Sequence, residues 1–295
     1  ADDTGTSSTD DLTKITSNLT ISGQSNPGAT VTIYDTNGTT SLGSGLVDAG
    51  GDFSIDVSLS NDPSTPHSLT AKATKTNYTE SIASSPLAIT VDATAPTLTI
   101  SGITLSADTG TSSSDFKTKT AGQSIGATLS GTLATDDILY GSLDNGATWS
   151  NITSKVSGTT ITWTGAVLSG SSSIKLKVTD AAGNDGAVAS QAYVLDVTPP
   201  TLTVSSVHIS DDTGSSSTDF ITKTASQTIT GTLSSGLATG DILYGSLNNG
   251  TTWSDITSKA TGTGISWDGA TLSGTSYILF KITDLAGNDS NRTGS

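Results

Sequence analysis

The chain has 295 residues, no cysteine, and a net charge of −15 from 27 acidic against 12 basic residues. Nucleic acid is excluded as a partner because phosphate contacts need clustered Lys and Arg, and disulfide staples and thiol chemistry are excluded by the lack of cysteine. No apolar run approaches the ~18 residues that a membrane span needs, so none is expected in this segment.

The chain opens on DDTGTSSTDD at Asp2–Asp11, a Gly/Ser/Thr/Asp-rich loop. Period-two strands follow: Val31 and Ile33 in GATVTIYD (Gly28–Asp35), then Phe53, Ile55 and Val57 in DAGGDFSIDV (Asp48–Val57). Such alternation describes a strand with one buried and one solvated face. At Asp92–Pro96 the segment DATAP interrupts the pattern, since proline stops sheet pairing and stiffens the link. From here the sequence is written twice: Asp92–Asp185 aligns onto Asp196–Asp289 without a gap, at the 104-residue offset between Asp92 and Asp196. A repeat of that length is a whole small domain.

Each copy runs through the same signals. A second loop, ADTGTSSSD, spans Ala107–Asp115; the tight-turn residues Asp144-Asn145-Gly146 follow; then come the alternating Ile174, Leu176 and Val178 and the turn DAAGN at Asp180–Asn184. The linker DVTPP (Asp196–Pro200) starts the next copy, which has its loop at Asp211–Phe220 and its hairpin at Asn248-Asn249-Gly250. Its strand carries Ile278, Phe280 and Ile282, and its turn reads DLAGN at Asp284–Asn288. The Asn-Gly pairs suit hairpin turns because both residues tolerate positive φ. No segment has helical periodicity. We therefore expect an all-β chain of three tandem immunoglobulin-like β-sandwich domains in an elongated rod, at 1–91, 92–195 and 196–295. The first lacks tryptophan and is read as a second subtype whose N-terminal strand is truncated, in a segment of a longer protein.

Topology predicts where the aspartates go. In an antiparallel sandwich the loop after the first strand and the end of the last strand lie at the far end of a domain, where the next domain's final turn abuts. This would gather Asp3, Asp10, Asp92 and Asp180 at one junction and Asp108, Asp115, Asp196 and Asp284 at the next, with Asp212 and Asp219 as a half-site. Two carboxylates ~4 Å apart repel by about 4 kcal/mol at an effective dielectric of 20. A hard divalent ion reverses that sign, and carboxylate, amide and carbonyl oxygens are what Ca2+ takes. Zinc would want His or Cys, and only His67 and His208 are present. The competing reading is that each aspartate simply caps its own turn.

Enzymatic chemistry has little support: neither histidine carries a partner motif, and no G-x-S-x-G elbow occurs. Asp136 and Asp137 form a possible dyad, but Gly240 replaces Asp136 in the sister copy. A carbohydrate- or receptor-binding module is the alternative, using Trp149, Trp163, Trp253 and Trp267 with Tyr140 and Tyr244 if these face solvent. Burial in the sandwich core is the expected fate of the tryptophans.

The linkers DATAP and DVTPP, the loops DTGTSSSD and DTGSSSTD, and the turns TDAAGN and TDLAGN together resemble the bacterial immunoglobulin-like repeats of giant non-fimbrial adhesins exported by type I secretion. The resemblance covers essentially the whole chain. It implies a calcium-rigidified, monomeric extracellular stalk at the bacterial cell surface, spacing a tip domain that contacts host cells or biofilm matrix through other parts of the full-length protein. The implied ligands are the aspartates named above. Asp11 departs from the pattern, standing where Phe116 and Phe220 stand. A local second resemblance, Ser142-x-Asp144-x-Gly146-x-Thr148-Trp149, is to the Asp-box, a structural hairpin.

Overall fold

The computed structural model describes residues 2–294, so Ala1 and Ser295 lie outside the described residues. The fold is all-β: six sheets pair into three sandwich units, and the only helical elements among the described residues are two 3-10 turns at Thr153–Lys155 and Thr257–Lys259. Each unit has its own apolar cluster, built around Val31, Ile33 and Val91 in the first, Leu139, Ile161 and Leu176 in the second, and Leu243, Ile229 and Phe280 in the third.

Unit one contains β1 (Leu12–Thr13), β2 (Leu19–Gln24), β3 (Thr30–Tyr34), β4 (Ser41–Leu46), β5 (Asp52–Val57), β6 (Asp62–Thr74) and β7 (Leu87–Val91). A five-stranded sheet β1-β7-β6-β3-β4 faces a two-stranded sheet β2-β5. The alternation read at Val31/Ile33 and Ile55/Val57 is an inward face, these four side chains being at most 4% exposed.

Unit two contains β8 (Ile100–Leu105), β9 (Lys117–Thr118), β10 (Gly122–Leu129), β11 (Ile138–Ser142), β12 (Ser150–Asn151), β13 (Val156–Ser157), β14 (Thr160–Val167), β15 (Ser171–Thr179) and β16 (Ala189–Leu195). Its sheets run β13-β14-β10-β8 and β12-β11-β15-β16-β9. Unit three repeats this order with β17 (Val204–Ile209), β18 (Ser226–Leu233), β19 (Ile242–Ser246), β20 (Ser254–Asp255), β21 (Ala260–Thr261), β22 (Gly264–Thr271), β23 (Leu279–Thr283) and β24 (Thr293–Gly294). Its sheets run β17-β18-β22-β21 and β20-β19-β23-β24.

Two parallel pairings position the junctions. β1 runs beside β7, with Thr13 opposite Val91, and β9 beside β16, with Thr118 opposite Leu195. The segment leaving the Asp-rich loop and the strand leading into the linker therefore advance side by side and finish at the same end of the unit. The Asp-box hairpin also forms as read: Asn145 and Gly146 have φ of 61° and 90°, and the Ser142 hydroxyl accepts from the Gly146 amide at 2.9 Å. In unit three Asn248 replaces Asp144 without altering the design, since Thr252 N still donates to Asn248 Oδ1 at 2.8 Å.

Candidate functional site: the junctions between units

The Asp-rich loop has one hydrogen-bonded construction, built three times. Its first aspartate accepts through Oδ2 from a residue eight positions on: Asp11 N to Asp3 at 3.4 Å, Phe116 N to Asp108 at 2.9 Å, and Phe220 N to Asp212 at 3.0 Å. Its last aspartate caps the chain two residues later, Asp10 over Leu12 N, Asp115 over Lys117 N and Asp219 over Ile221 N. The residue held between them is left-handed in every copy, with φ of 57° at Asp11, 60° at Phe116 and 61° at Phe220. That is a strained region for a bulky side chain, and the carboxylate bonds on either side are what hold it there. A buried threonine ties the loop's base, Thr118 Oγ1 donating to Ala107 O at 2.6 Å.

One oxygen of this construction is left over. Oδ1 of Asp3, Asp108 and Asp212 is buried and accepts no hydrogen bond among the described residues. A buried carboxylate oxygen without a donor is costly, by about 1–3 kcal/mol, so its recurrence in all three loops calls for a positive partner.

Loop, linker and following turn meet. At the first junction Thr4 Oγ1 donates to Ala182 O at 2.8 Å, Thr6 N to Ala181 O at 3.3 Å, and Lys14 Nζ to Gly183 O at 2.6 Å. At the second, Thr109 Oγ1 donates to Ala286 O at 2.6 Å and Lys119 Nζ to Gly287 O. The turn is also bonded to its own linker, through Asn184 Nδ2 to Asp92 O and Asn288 Nδ2 to Asp196 O, both at 2.8 Å. The units therefore touch through hydroxyl, amide and ammonium donors on turn carbonyls. A lysine ammonium thus spans each junction, using the carbonyls that the tight glycine turn leaves outward.

The candidate aspartates are distributed unequally. Asp180 accepts from Asn184 N and Nδ2 at 2.8 and 3.0 Å, and Asp284 from Asn288 at 2.8 and 2.9 Å, so both carboxylates brace their own turn. Asp92 and Asp196 each cap the linker two residues on, at Thr94 N and Thr198 N. Among the described residues no three Asp, Glu or His side chains are grouped so as to hold a metal. Asp3, Asp108 and Asp212 keep the free oxygen, Asp10, Asp115 and Asp219 lie in the same loops, and Asp212 and Asp219 have no docked turn among the described residues.

Asp137, read in the sequence as half of a possible dyad, and its counterpart Asp241 both feel the charge of the turn aspartates. Burial, with the charges of Asp180 and Asp136 adding to it, holds the Asp137 carboxyl above the usual range. Asp241 is raised by burial and by Asp284. The sequence carries a signal for this position, since the aspartate recurs in both copies while Asp136 gives way to Gly240.

His67 also has partners that no motif announced. Its Nδ1 lies 3.1 Å from Asp35 Oδ1 and its Nε2 3.0 Å from the Ser60 carbonyl, with Ser60 Oγ at 3.5 Å. The order Ser-His-Asp resembles a nucleophilic triad, but Nε2 faces a carbonyl oxygen, to which it can only donate. The hydroxyl is at the limit of hydrogen bonding and the ring is not placed to take its proton.

The aromatic residues divide into two classes. Trp163 and Trp267 are buried at 8% exposure, as expected of core residues. Trp149 and Trp253 are half-buried, and ammonium groups cover their faces: Lys177 Nζ lies 4.7 Å from the Trp149 ring and Lys281 Nζ 5.2 Å from that of Trp253. Those cations are in turn held by Asp185 and Asp289 at 2.6 and 2.8 Å. A sugar would have to displace a paired cation from each stacking face.

No curated protein matches the chain. A family model for the bacterial Ig domain matches residues 8–93, from within the first Asp-rich loop to the start of the first linker. The chain thus carries a bacterial Ig domain as its first unit, followed by two further sandwich units written as a repeat.

Proposed function

We propose that the chain is a stalk segment of a bacterial surface adhesin, in which Ca2+ bound at the Asp-rich loops stiffens the junctions between sandwich units. Bacterial Ig domains are typical of surface proteins. The adhesive role extends that through the likeness of the linkers, loops and turns to giant adhesins exported by type I secretion. The single observation that carries the cation reading is the buried, donorless Oδ1 of Asp3, Asp108 and Asp212. The donor chemistry suits Ca2+: the Asp-rich loops offer carboxylate and carbonyl oxygens and contain no thiol or imidazole.

Within this reading the chain's own residues divide the work. Asp108 Oδ1, and its counterparts Asp3 and Asp212, would face the ion; Asp115, Asp10 and Asp219 add charge from the same loop. Linker residues Asp92 and Asp196 and turn residues Asp180 and Asp284 supply negative potential around it. Lys14 and Lys119 hold the units in contact meanwhile, so removing the cation loosens the junctions without separating the units. Extracellular modules bind Ca2+ at ~10⁻⁴–10⁻³ M, a range that fills outside a cell and empties in the cytosol.

Calorimetric titration with Ca2+, paired with small-angle scattering with and without chelator, tests this. We expect saturable binding that Asp108→Asn and Asp3→Asn each reduce, and a maximum dimension that becomes less sharply defined on chelation. Absence of binding at millimolar Ca2+ would remove the metal, and with it the rigidified stalk.

A further inference from the structure

In unit two the last strand, β16, runs directly into the linker to unit three, so tension between these units draws it lengthwise past its two partners. On one side it pairs antiparallel with β15, from Ser171 opposite Val194 to Leu176 opposite Ala189. On the other it pairs parallel with β9, Val194 beside Lys117 and Leu195 beside Thr118. Its final amides alternate between the two sides: Val194 N donates to Phe116 O and Asp196 N to Thr118 O, while Leu195 N donates to Gly170 O, each at 2.9 Å. Bonds that cross the direction of pull resist together rather than one after another. The β9 bonds sit at the end of β16 where the pull from the linker enters.

The Asp-rich loop fixes the acceptor of each of these bonds. Phe116, whose carbonyl receives Val194 N, is left-handed at φ 60°, and its own amide is held by Asp108 Oδ2 at 2.9 Å. Freed of that bond, a phenylalanine relaxes toward negative φ and turns its carbonyl away from β16. Thr118, whose carbonyl receives Asp196 N, is buried, and its hydroxyl ties it to Ala107 O at 2.6 Å. A continuous path therefore runs from the Asp108 carboxylate through the Phe116 peptide to the load-bearing strand. The other oxygen of that carboxylate is the buried, donorless Oδ1. Unit one has the same path: Asp11 N donates to Asp3 Oδ2 at 3.4 Å, Thr90 N to Asp11 O at 2.9 Å and Asp92 N to Thr13 O at 2.9 Å.

We propose that the Asp-rich loop is a latch on the last strand of its own unit: Asp108 in unit two and Asp3 in unit one set how much tension the β9–β16 and β1–β7 pairs withstand, and a cation at the free oxygen tightens the latch. The cation's part rests on the reading of the loops given above; the latch itself needs only the carboxylate. With Oδ1 neutralised the carboxylate keeps its plane, and Oδ2 stays on the Phe116 amide. Without it, rotation that brings Oδ1 out of its costly setting takes Oδ2 off that amide. Junction stiffness concerns how neighbouring units sit against each other. The latch concerns whether a unit stays folded while it is pulled.

Amide hydrogen exchange of the whole chain, read residue by residue by NMR, tests this, with Leu195 as the internal reference because its bond lies on the other side of the strand. Asp108→Ala should speed exchange at Val194 and Asp196 roughly tenfold, as the loss of about one hydrogen bond implies, and leave Leu195 unchanged. Removing Ca2+ from the wild-type chain with a chelator should act on the same two amides. In single-molecule pulling, Asp108→Ala should lower the force of one unfolding event and leave the others as they are, since forced unfolding follows the unfolding rate of the unit concerned. Unchanged exchange at Val194 and Asp196 in Asp108→Ala overturns the latch. Equal acceleration at Leu195 overturns it too, because the unit then opens as a whole. Calorimetric Ca2+ binding with no effect at the two amides overturns the cation's part in the latch and leaves the junction reading standing. Absence of binding overturns the junction reading, and the Asp108→Ala result then decides the latch alone.

Discussion

Asn288 donates its side-chain amide both to the Asp196 carbonyl, 92 residues earlier, and to Asp284 Oδ2, at 2.8 and 2.9 Å. One buried amide thereby joins the linker that opens a unit to the turn that closes its last hairpin, and Asn184 does the same with Asp92 and Asp180. Asn288→Ala leaves a carbonyl and a carboxylate oxygen without their donor and should cost about 1–3 kcal/mol in the third unit. Asn288→Asp should be worse, because a second carboxylate then faces Asp284. Thermal unfolding of the two variants, with Asn184 unchanged as the internal reference, gives the comparison.

The docking face of each loop is a glycine. A Cβ added at Gly110 would lie 2.0 Å from Leu285 O, and one at Gly5 would lie 1.9 Å from Ala181 O; both glycines also have φ above 90°. Gly110→Ala should therefore open the second junction while leaving the cores of both units intact. Gly214 is the counterpart in the third loop, where the nearest atom to an added Cβ is Ile221 O at 3.2 Å and φ is not left-handed. Gly214→Ala should cost well under 1 kcal/mol by comparison. Interdomain residual dipolar couplings would show the first change and not the second. Comparable disturbance by both would mean that the glycine serves the loop rather than the contact.

Much of this architecture was legible because a sandwich repeats its signals. Alternation at Ile174, Leu176 and Val178 located a strand and its buried face, and the Asn-Gly pairs located hairpins through their φ preference. Topology alone brought loop, linker and turn to one end. What the sequence could not reveal was the use made of each polar group once there. Asp180 has the same letter as Asp108, yet it spends both oxygens on Asn184 while Asp108 keeps one free. Lys14 and Lys119 stood outside any motif, and only the fold places their ammonium groups against a carbonyl more than a hundred residues away in sequence. His67 shows the same limit, since its partners come from the β3–β4 turn and from the residues before β6.

The His67 contact predicts a pH dependence confined to unit one. Both ring nitrogens face acceptors, so only the imidazolium satisfies both. Burial opposes the charge, but the Ser60 carbonyl, Asp35 and Asp62 outweigh it and hold the pKa above 6.5. Asp35 is likewise held below 3.8, despite burial, by the Thr36 amide and His67. The histidine's contribution is thus complete below pH 6.5 and lost as pH rises through its folded value. The aspartate's is complete above pH 3.8 and lost as pH falls through its own. Unit one should be most stable between these limits and weaken toward alkaline pH. His67→Gln should abolish the decline on the alkaline side. A wild-type unfolding midpoint that is flat from about pH 5 to 8.5 would show that folding leaves the ring's proton affinity unchanged, and would overturn the prediction.

Asp11 stands where the other loops pack a partly buried phenylalanine, and the consequence is a gap. Phe116 and Phe220 pack against the cores of their units, whereas beneath Asp11 lies a cavity of about 140 Å³ bordered by Leu19, Ile21, Leu87 and Ile89. The backbone is already suited to the larger residue, since Asp11 has φ of 57° and Phe116 of 60°. Asp11→Phe should fill the gap with apolar surface and remove one carboxylate from the rim shared with Asp2 and Asp3. Cavity filling of this kind contributes about 0.5–2 kcal/mol, so a rise of a few degrees in the unfolding midpoint of unit one is expected. Asp11→Ala discriminates the causes: if it stabilises equally, the gain comes from relieving charge repulsion. A gain peculiar to phenylalanine comes from packing.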